Sequence, residues 1–230
     1  MNMKTYRDII QGSDEWLELR RGILTASEMK LILTPTLKMA SNDKERAHVY
    51  EIAAQRITKF LEPHYVSDDM LRGKFDEVEA RVIYSDNFAP VEDVGFITND
   101  KFGFVIGYSP DGMVGADGLI ECKSRRQKYQ LQTIVECVPG DEIPADYMIQ
   151  IQTGLLVSER SWCDFITYCG GMEMAVVRVY PDTKIQAAIW TAAEAFESSV
   201  QDKIQKYASV VASGARLVPT ERKIEQEIIL

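Results

Sequence analysis

The sequence predicts an α/β fold in which a central mixed β-sheet is flanked by helices. Three observations carry this reading. Apolar residues recur at helical spacing in the first third of the chain and again over about residues 183–212. From about residue 94 the pattern shifts to short apolar runs separated by turn signals. Two more such runs follow residue 160, after an intervening helical stretch. The chain has 230 residues, 46% of them hydrophobic, with no repeat, low-complexity segment or dividing linker. It is read as one domain, 1–230, able to bury a substantial core.

The elements follow in order. DEWLELR (14–20) reads as a short helix. TASEMKLIL (25–33) reads as a second, with Thr25 as N-cap and Glu28 completing a capping box. TPTLKMASND is a loop, and a long amphipathic helix follows over about 44–60. Ser67 caps a helix through DDMLRGKFDEVEARVIYSD. Gly73 interrupts it at a cost of about 1 kcal/mol relative to Ala, so a close approach to the backbone is expected there. VGFIT, FGFVIGY and GLIECKS read as strands joined by the turn signals NDK, SPDG and GADG. RQKYQLQTIVEC and PADYMIQIQTGLLVSE read as helices, WCDFITYC and MAVVRVY as strands. A final helix spans about 183–212, with a stripe of Ile185, Ile189, Ala192, Phe196, Val200, Ile204, Tyr207 and Val211.

Composition narrows the function classes. No apolar run is long enough to cross a bilayer, and the first residues lack the apolar segment of a signal peptide, so a cytoplasmic protein is expected. Cys122, Cys137, Cys163 and Cys169 form no CxxC, and with only His48 and His64 a zinc site is not expected. The cysteines read as buried reduced thiols. The net charge of −9 argues against a uniformly basic nucleic-acid binder but leaves room for a local basic groove.

The densest chemistry lies in GYSPDGMVGADGLIECKSRR (107–126). Nine residues separate Asp111 from Glu121, and one separates Glu121 from Lys123. Strand alternation puts Glu121 and Lys123 on one side and turns Ile120 and Cys122 to the other. Asp111 sits in the SPDG turn, where it approaches Glu121 if the two flanking strands pair. Adjacent carboxylates repel and call for a cation, and hard oxygen ligands favour Mg²⁺ or Mn²⁺. Lys123 is placed to orient water or to offset charge developing on a phosphate. Arg125, Arg126 and Lys128 continue as a basic run suited to a phosphate backbone. Locally, an ordinary charged hairpin with a solvated salt bridge explains the pattern as well.

A longer ordered set surrounds these residues: QGSDEWLELRRGILTASE (11–28), GKFDEVEAR (73–81), SPDG (109–112), ECK (121–123) and YMIQIQ (147–152). It resembles the phage-lambda-type 5′→3′ exonucleases, or viral recombinase and alkaline exonucleases, across about residues 11–157. The resemblance implies a restriction-endonuclease-like PD-(D/E)xK core. It implies that Asp111 and Glu121 ligate two Mg²⁺ ions, for which Mn²⁺ substitutes, with the backbone carbonyl of Cys122 as a further ligand. Lys123 is then the catalytic lysine. Glu77 assists the second metal or the water, and Gln150 packs beside the lysine. Arg20, Ser27 and Ser109 match positions that hold a terminal 5′-phosphate.

The resemblance also implies double-stranded DNA ends as substrate, a homotrimeric ring, a single-strand-annealing partner, and a phage or prophage origin. Arg20, Arg21, Arg72, Lys74, Arg125, Arg126 and Lys128 are candidates for basic channel walls. Arg72 stands where family members have a bulky aromatic residue, and the polar SRRQK run also departs from the family's simplest pattern, which leaves the grip on the duplex open. Local readings compete at several positions. Arg20 is also placed to pair with Glu15 or Glu18, and Glu77 with Arg81. Trp16 reads as a core anchor. Met70, with Leu71, reads as core or as a wedge between terminal base pairs. The rival functions are an endonuclease or single-strand nuclease on the same core, or a non-catalytic DNA-binding protein.

Overall fold

The computed structural model describes residues 3–63 and 67–222. It contains mixed sheets flanked by helices, and the strands are divided between two sheets of four. In the first, β1 (Met3–Tyr6) runs antiparallel to β3 (Phe96–Asn99). Strand β3 in turn runs antiparallel to β4 (Ile106–Tyr108), which is parallel to β2 (Leu24–Thr25). In the second, β5 (Gly112–Val114) runs antiparallel to β6 (Gly118–Ser124). Strand β6 is parallel to β7 (Trp162–Tyr168), and β8 (Ala175–Val179) closes the order antiparallel to β7. The chain passes between sheets through Ser109–Pro110–Asp111. Pro110 has no N–H to offer a ladder, so the hydrogen-bonded run stops there.

The helices are α1 (Asp14–Arg20), α2 (Asp43–Thr58), α3 (Asp68–Asn87), α4 (Gln127–Gln132), α5 (Ala145–Ser158) and α6 (Thr183–Ala212). Ser67 caps α3 as expected, accepting from the Met70 N–H. Strand β6 is covered on both faces. Ile120 and Cys122 pack with Ala80 and Tyr84 of α3, while Leu119 joins Tyr108, Ile151, Leu155 and Phe165 in the main core. A strand buried on both faces tolerates polar residues only where each finds a partner. Gly154 lets α5 lie against Tyr108: a Cβ there would sit 2.6 Å from the phenol ring.

Several expectations are corrected. TASEMKLIL is not an α-helix. Leu24 and Thr25 enter a sheet, the Ala26 N–H bonds the Gly107 carbonyl at 2.9 Å, and only one 3₁₀ turn (Met29–Leu31) follows. Glu28 still reaches back to the Thr25 N–H (3.0 Å) and hydroxyl (2.6 Å), so half of a capping box forms around a strand end. Pairing with β4 outweighs local helix propensity there. The short strands β1, β2 and β5 carry too few residues to show a period, and FGFVIGY yields a strand only over its last three residues. RQKYQLQTIVEC begins as α4 and widens to a π-helical turn over Thr133–Cys137.

The stripe on α6 is buried from Ile189 to Val200, but Tyr207 and Val211 are exposed. At Gly73 no atom lies within 4 Å of where a Cβ would stand, so no described part of the chain makes the expected approach. Cys122, Cys163 and Cys169 are buried free thiols, whereas Cys137 is only half-buried. His48 is buried and stacks on Phe196, with ring centroids 5.2 Å apart; His64 lies outside the described residues.

One buried polar group ties α3 to the second sheet. Asp164 of β7 accepts from the Tyr84 hydroxyl at 2.6 Å and from Arg178 at 2.7 and 2.8 Å. Burial, then the bonded Asp164 carboxylate, raises the Tyr84 pKa, so the phenol stays a donor. Tyr84→Phe is expected to cost about 1.5–3 kcal/mol, read from urea unfolding, because it removes a hydrogen bond to a buried charge.

Candidate active site

Glu121 is 1% exposed, on the middle of β6. Its Oε1 accepts from Lys123 Nζ at 2.5 Å and from the Gln150 amide; its Oε2 accepts from the Tyr108 hydroxyl at 2.9 Å. Glu121 and Lys123 therefore share a face, as alternation requires. Asp111 arrives by another route than the one expected. Strands β4 and β6 do not pair. Instead β5 leaves β6 after Ile120, and the next N–H on that edge, from Cys122, donates to Asp111 Oδ2 at 2.5 Å. The N–H and carbonyl of one strand residue point to the same edge, so the Cys122 carbonyl is directed toward the same side as Asp111.

The carboxylates act on one another. Burial pushes Asp111 well above the usual carboxylate range; Glu121 and Glu77 push the same way, against Lys123 and the Cys122 N–H. Glu77 on α3 is also raised, first by burial, with Arg81 opposing and Glu121 adding. Burial alone would lower Lys123, but Glu121 and Asp111 outweigh it and hold the ammonium protonated. Among the described residues no three His, Cys, Asp or Glu side chains are gathered closely enough to hold a metal ion. The donor chemistry nevertheless fits one: three mutually repelling carboxylates have Lys123 as their adjacent cation, and all offer hard oxygen ligands. Glu77 does not pair with Arg81, which bonds Asp93 instead.

A cavity of about 160 Å³ adjoins this centre, lined by Trp16, Arg20, Thr25, Ala26, Ser27, Tyr108, Ser109 and Gln150. Arg20 stacks over the Trp16 ring at 4.2 Å and donates to Ser109 Oγ (3.3 Å) and Thr25 Oγ1 (3.4 Å). Ser27 Oγ lies 3.3 Å from Thr25 Oγ1. The expected pairing of Arg20 with Glu15 or Glu18 is absent; Arg21 takes Glu18, and Arg20 makes no salt bridge among the described residues. Burial lowers the Arg20 pKa from its ordinary value, yet a guanidinium remains charged. Glu28 lies near enough to oppose that shift without forming a salt bridge, so a guanidinium free of ion pairing among the described residues stands beside three hydroxyl-bearing residues, chemistry that suits an anion. Trp16 is not the core anchor expected. It is half-buried, lines the cavity, and donates to the Gly95 carbonyl (3.1 Å) and Ser109 Oγ (2.9 Å).

The other expected contacts divide. Arg125 bonds the Tyr147 hydroxyl at 2.6 Å, beside the active centre, where Lys123 also faces the Tyr147 ring. Arg126 pairs with Asp69 on the surface, and Lys128 lies over the exposed Tyr129. Arg72 bonds Asp69 and Ser124. Met70 (51% exposed) and Leu71 (46%) are not core. Sequence reading missed Tyr108, Thr25 and the pocket role of Trp16. The isolated glycine in α5, Gly154, is the one local signal that a bulky group abuts the site from that side.

The restriction-endonuclease-like fold is that of a nuclease, and the chemistry this Asp–Glu–Lys cluster offers agrees with one. Residues 15–161 match the YqaJ-like viral recombinase domain, and the chain belongs to that family. It is similar to the alkaline exonuclease LHK-Exo of Laribacter hongkongensis, at 27% identity and a TM-score of 0.76, covering 88% of this chain and 100% of that one. The same enzyme in complex with dAMP matches at 28% identity and a TM-score of 0.77, with the same coverage. A phage-related exonuclease from Haemophilus somnus 129PT shares the fold, at 12% identity and a TM-score of 0.55, over 80% of this chain and 96% of that one. No curated protein sequence matches. No helix among the described residues is long and apolar enough to cross a membrane.

Proposed function

We propose that this protein is an Mg²⁺-dependent 5′→3′ exonuclease. It removes one strand of linear double-stranded DNA from 5′-phosphorylated ends and leaves 3′ single strands for phage-type recombination. The observation that carries this is Gln150, which lines the Arg20–Ser27–Ser109 cavity and donates to Glu121. One side chain thus joins an anion pocket to the acidic centre. An endonuclease has no use for a terminal-phosphate pocket at that place.

Asp111, Glu121 and the Cys122 carbonyl would hold the cations, with Glu77 contributing directly or through water. When bound, the ions supply Lewis acidity to the phosphodiester and lower the pKa of water. Lys123, held protonated beside Glu121, offsets negative charge on the phosphate and orients water. Gln150 and Tyr108 hold the Glu121 carboxylate in one orientation. Arg20, Ser27 and Ser109 bind the terminal phosphate, which sets polarity and the length removed at each cut. Arg125, Arg126 and Lys128 would follow the backbone, while Met70, exposed on α3, would serve as the wedge that parts a terminal base pair. Exposed Leu71, Phe75, Val78 and Val82 share one face of α3, in keeping with a homotrimeric ring. The freed 3′ strand is passed to a single-strand-annealing protein in the bacterial cytoplasm.

The test uses labelled linear duplex with 5′-phosphate or 5′-hydroxyl ends. Mononucleotide release should require Mg²⁺, be restored by Mn²⁺ after EDTA treatment, and favour phosphorylated ends. Equal rates on both ends, or cleavage persisting in EDTA, would overturn the reading.

A further inference from the structure

Gln11 precedes α1 in a segment fixed on both sides. The Tyr6 carbonyl accepts from the Gly95 N–H at 3.0 Å. The Ile9 backbone then passes so near that a Cβ at Gly95 would sit 2.1 Å from the Ile9 carbonyl oxygen, an approach only glycine permits. Gly12 turns the chain with φ 88°, and Ser13 caps α1. This path delivers the Gln11 amide nitrogen to two carbonyls, Val94 at 3.0 Å and Pro110 at 2.7 Å. Trp16 bridges the neighbouring pair, the Gly95 carbonyl and Ser109 Oγ.

Pro110 separates Ser109, which lines the cavity, from Asp111 of the acidic centre. Strand β4 ends at Tyr108 and β5 begins at Gly112, so no ladder holds residues 109–111. Among the described residues, Gln11 makes the only hydrogen bond to the Pro110 carbonyl. The segment carrying both functional groups is thus held from the N-terminal arm.

We propose that Gln11 is a positioning residue that keeps the terminal-phosphate cavity and the Asp111 carboxylate at one separation, and so sets product length at one nucleotide. This rests on reading the cavity as a 5′-phosphate site. Gln11 is exposed and belongs to neither core cluster, so its replacement removes two hydrogen bonds and little packing. Gln11→Ala and the near-isosteric Gln11→Glu, which lacks the N–H donor, are compared with the wild-type chain. Each should lower kcat about 10–100-fold, as loss of a supporting partner does, with KM little changed. Each should also release dinucleotides alongside mononucleotides from 5′-phosphorylated duplex.

Hydrogen exchange in metal-free protein, without DNA, should accelerate at the Gly112 and Met113 amides that directly follow the segment, the latter bonded to the Glu92 carbonyl at 2.9 Å, and not across β6. The proposal is overturned if exchange at these amides is unchanged, or if it rises throughout the sheets while kcat and product length stay as in wild type. If wild-type protein shows no 5′-phosphate preference, the cavity reading fails. The exchange and kcat measurements still decide whether Gln11 holds Asp111.

Discussion

Asp111→Asn is expected to lower strand cleavage by roughly 10³-fold or more while raising thermal stability in EDTA. The two effects share one cause. Asp111 is buried, with Glu121 and Glu77 nearby, so its ionised form is disfavoured in the folded chain and its pKa is raised. The native state therefore binds that proton more tightly than the unfolded chain does. This advantage is complete below the ordinary carboxylate range, near pH 4, and is lost as pH rises through the raised folded pKa. Asparagine retains an oxygen for the Cys122 N–H but carries no charge. The Tm of the variant in EDTA should match wild type at low pH, exceed it above about pH 4, and diverge further until the raised pKa is passed. At this chain length each kcal/mol is worth about 2–4 °C. Scanning calorimetry across pH reads the sign. A variant less stable than wild type at neutral pH in EDTA would show that the carboxylates are not in conflict.

Arg20→Ala should abolish discrimination between end chemistries. On 5′-phosphorylated duplex, kcat/KM is expected to fall about 10²-fold, the scale of a lost charge-assisted bidentate contact. On 5′-hydroxyl duplex the variant should behave much as wild type, because that end offers the guanidinium no anion. Arg20→Lys should recover only part of the loss, since a point charge does not reproduce the fork that reaches toward both Thr25 and Ser109. An equal loss on both substrates would place Arg20 in general duplex binding and remove it from terminal-phosphate recognition.

Legibility in the sequence followed the range of the interaction concerned. Glu121 and Lys123 were assigned to one side from strand alternation alone, because a period of two is a local property, and their 2.5 Å contact agrees. The Ser67 cap that starts α3 and the apolar stripe that marks α6 are readable for the same reason. Thr25 and Glu28 form a real local pair with the pattern of a helix start, yet only the β4 strand, some eighty residues on, decides that Leu24 and Thr25 extend. Arg20 and Glu77 each have sequence neighbours of opposite charge, but in the structure Glu18 bonds Arg21, Arg81 bonds Asp93, and Glu15 does not reach Arg20.

By itself the sequence determined the alternating strand that carries Glu121 and Lys123, the capped helices around it, and the ordered motifs that place the chain among viral-recombinase nucleases. Only the tertiary structure decided that there are two sheets, that Asp111 reaches the centre through the Cys122 N–H, and that Trp16, Arg20, Thr25, Ser27, Ser109 and Gln150 enclose one cavity. The physical reason is distance along the chain. Caps and strand alternation are set by neighbours within a few residues, whereas a cavity is set by which distant surfaces exclude water together.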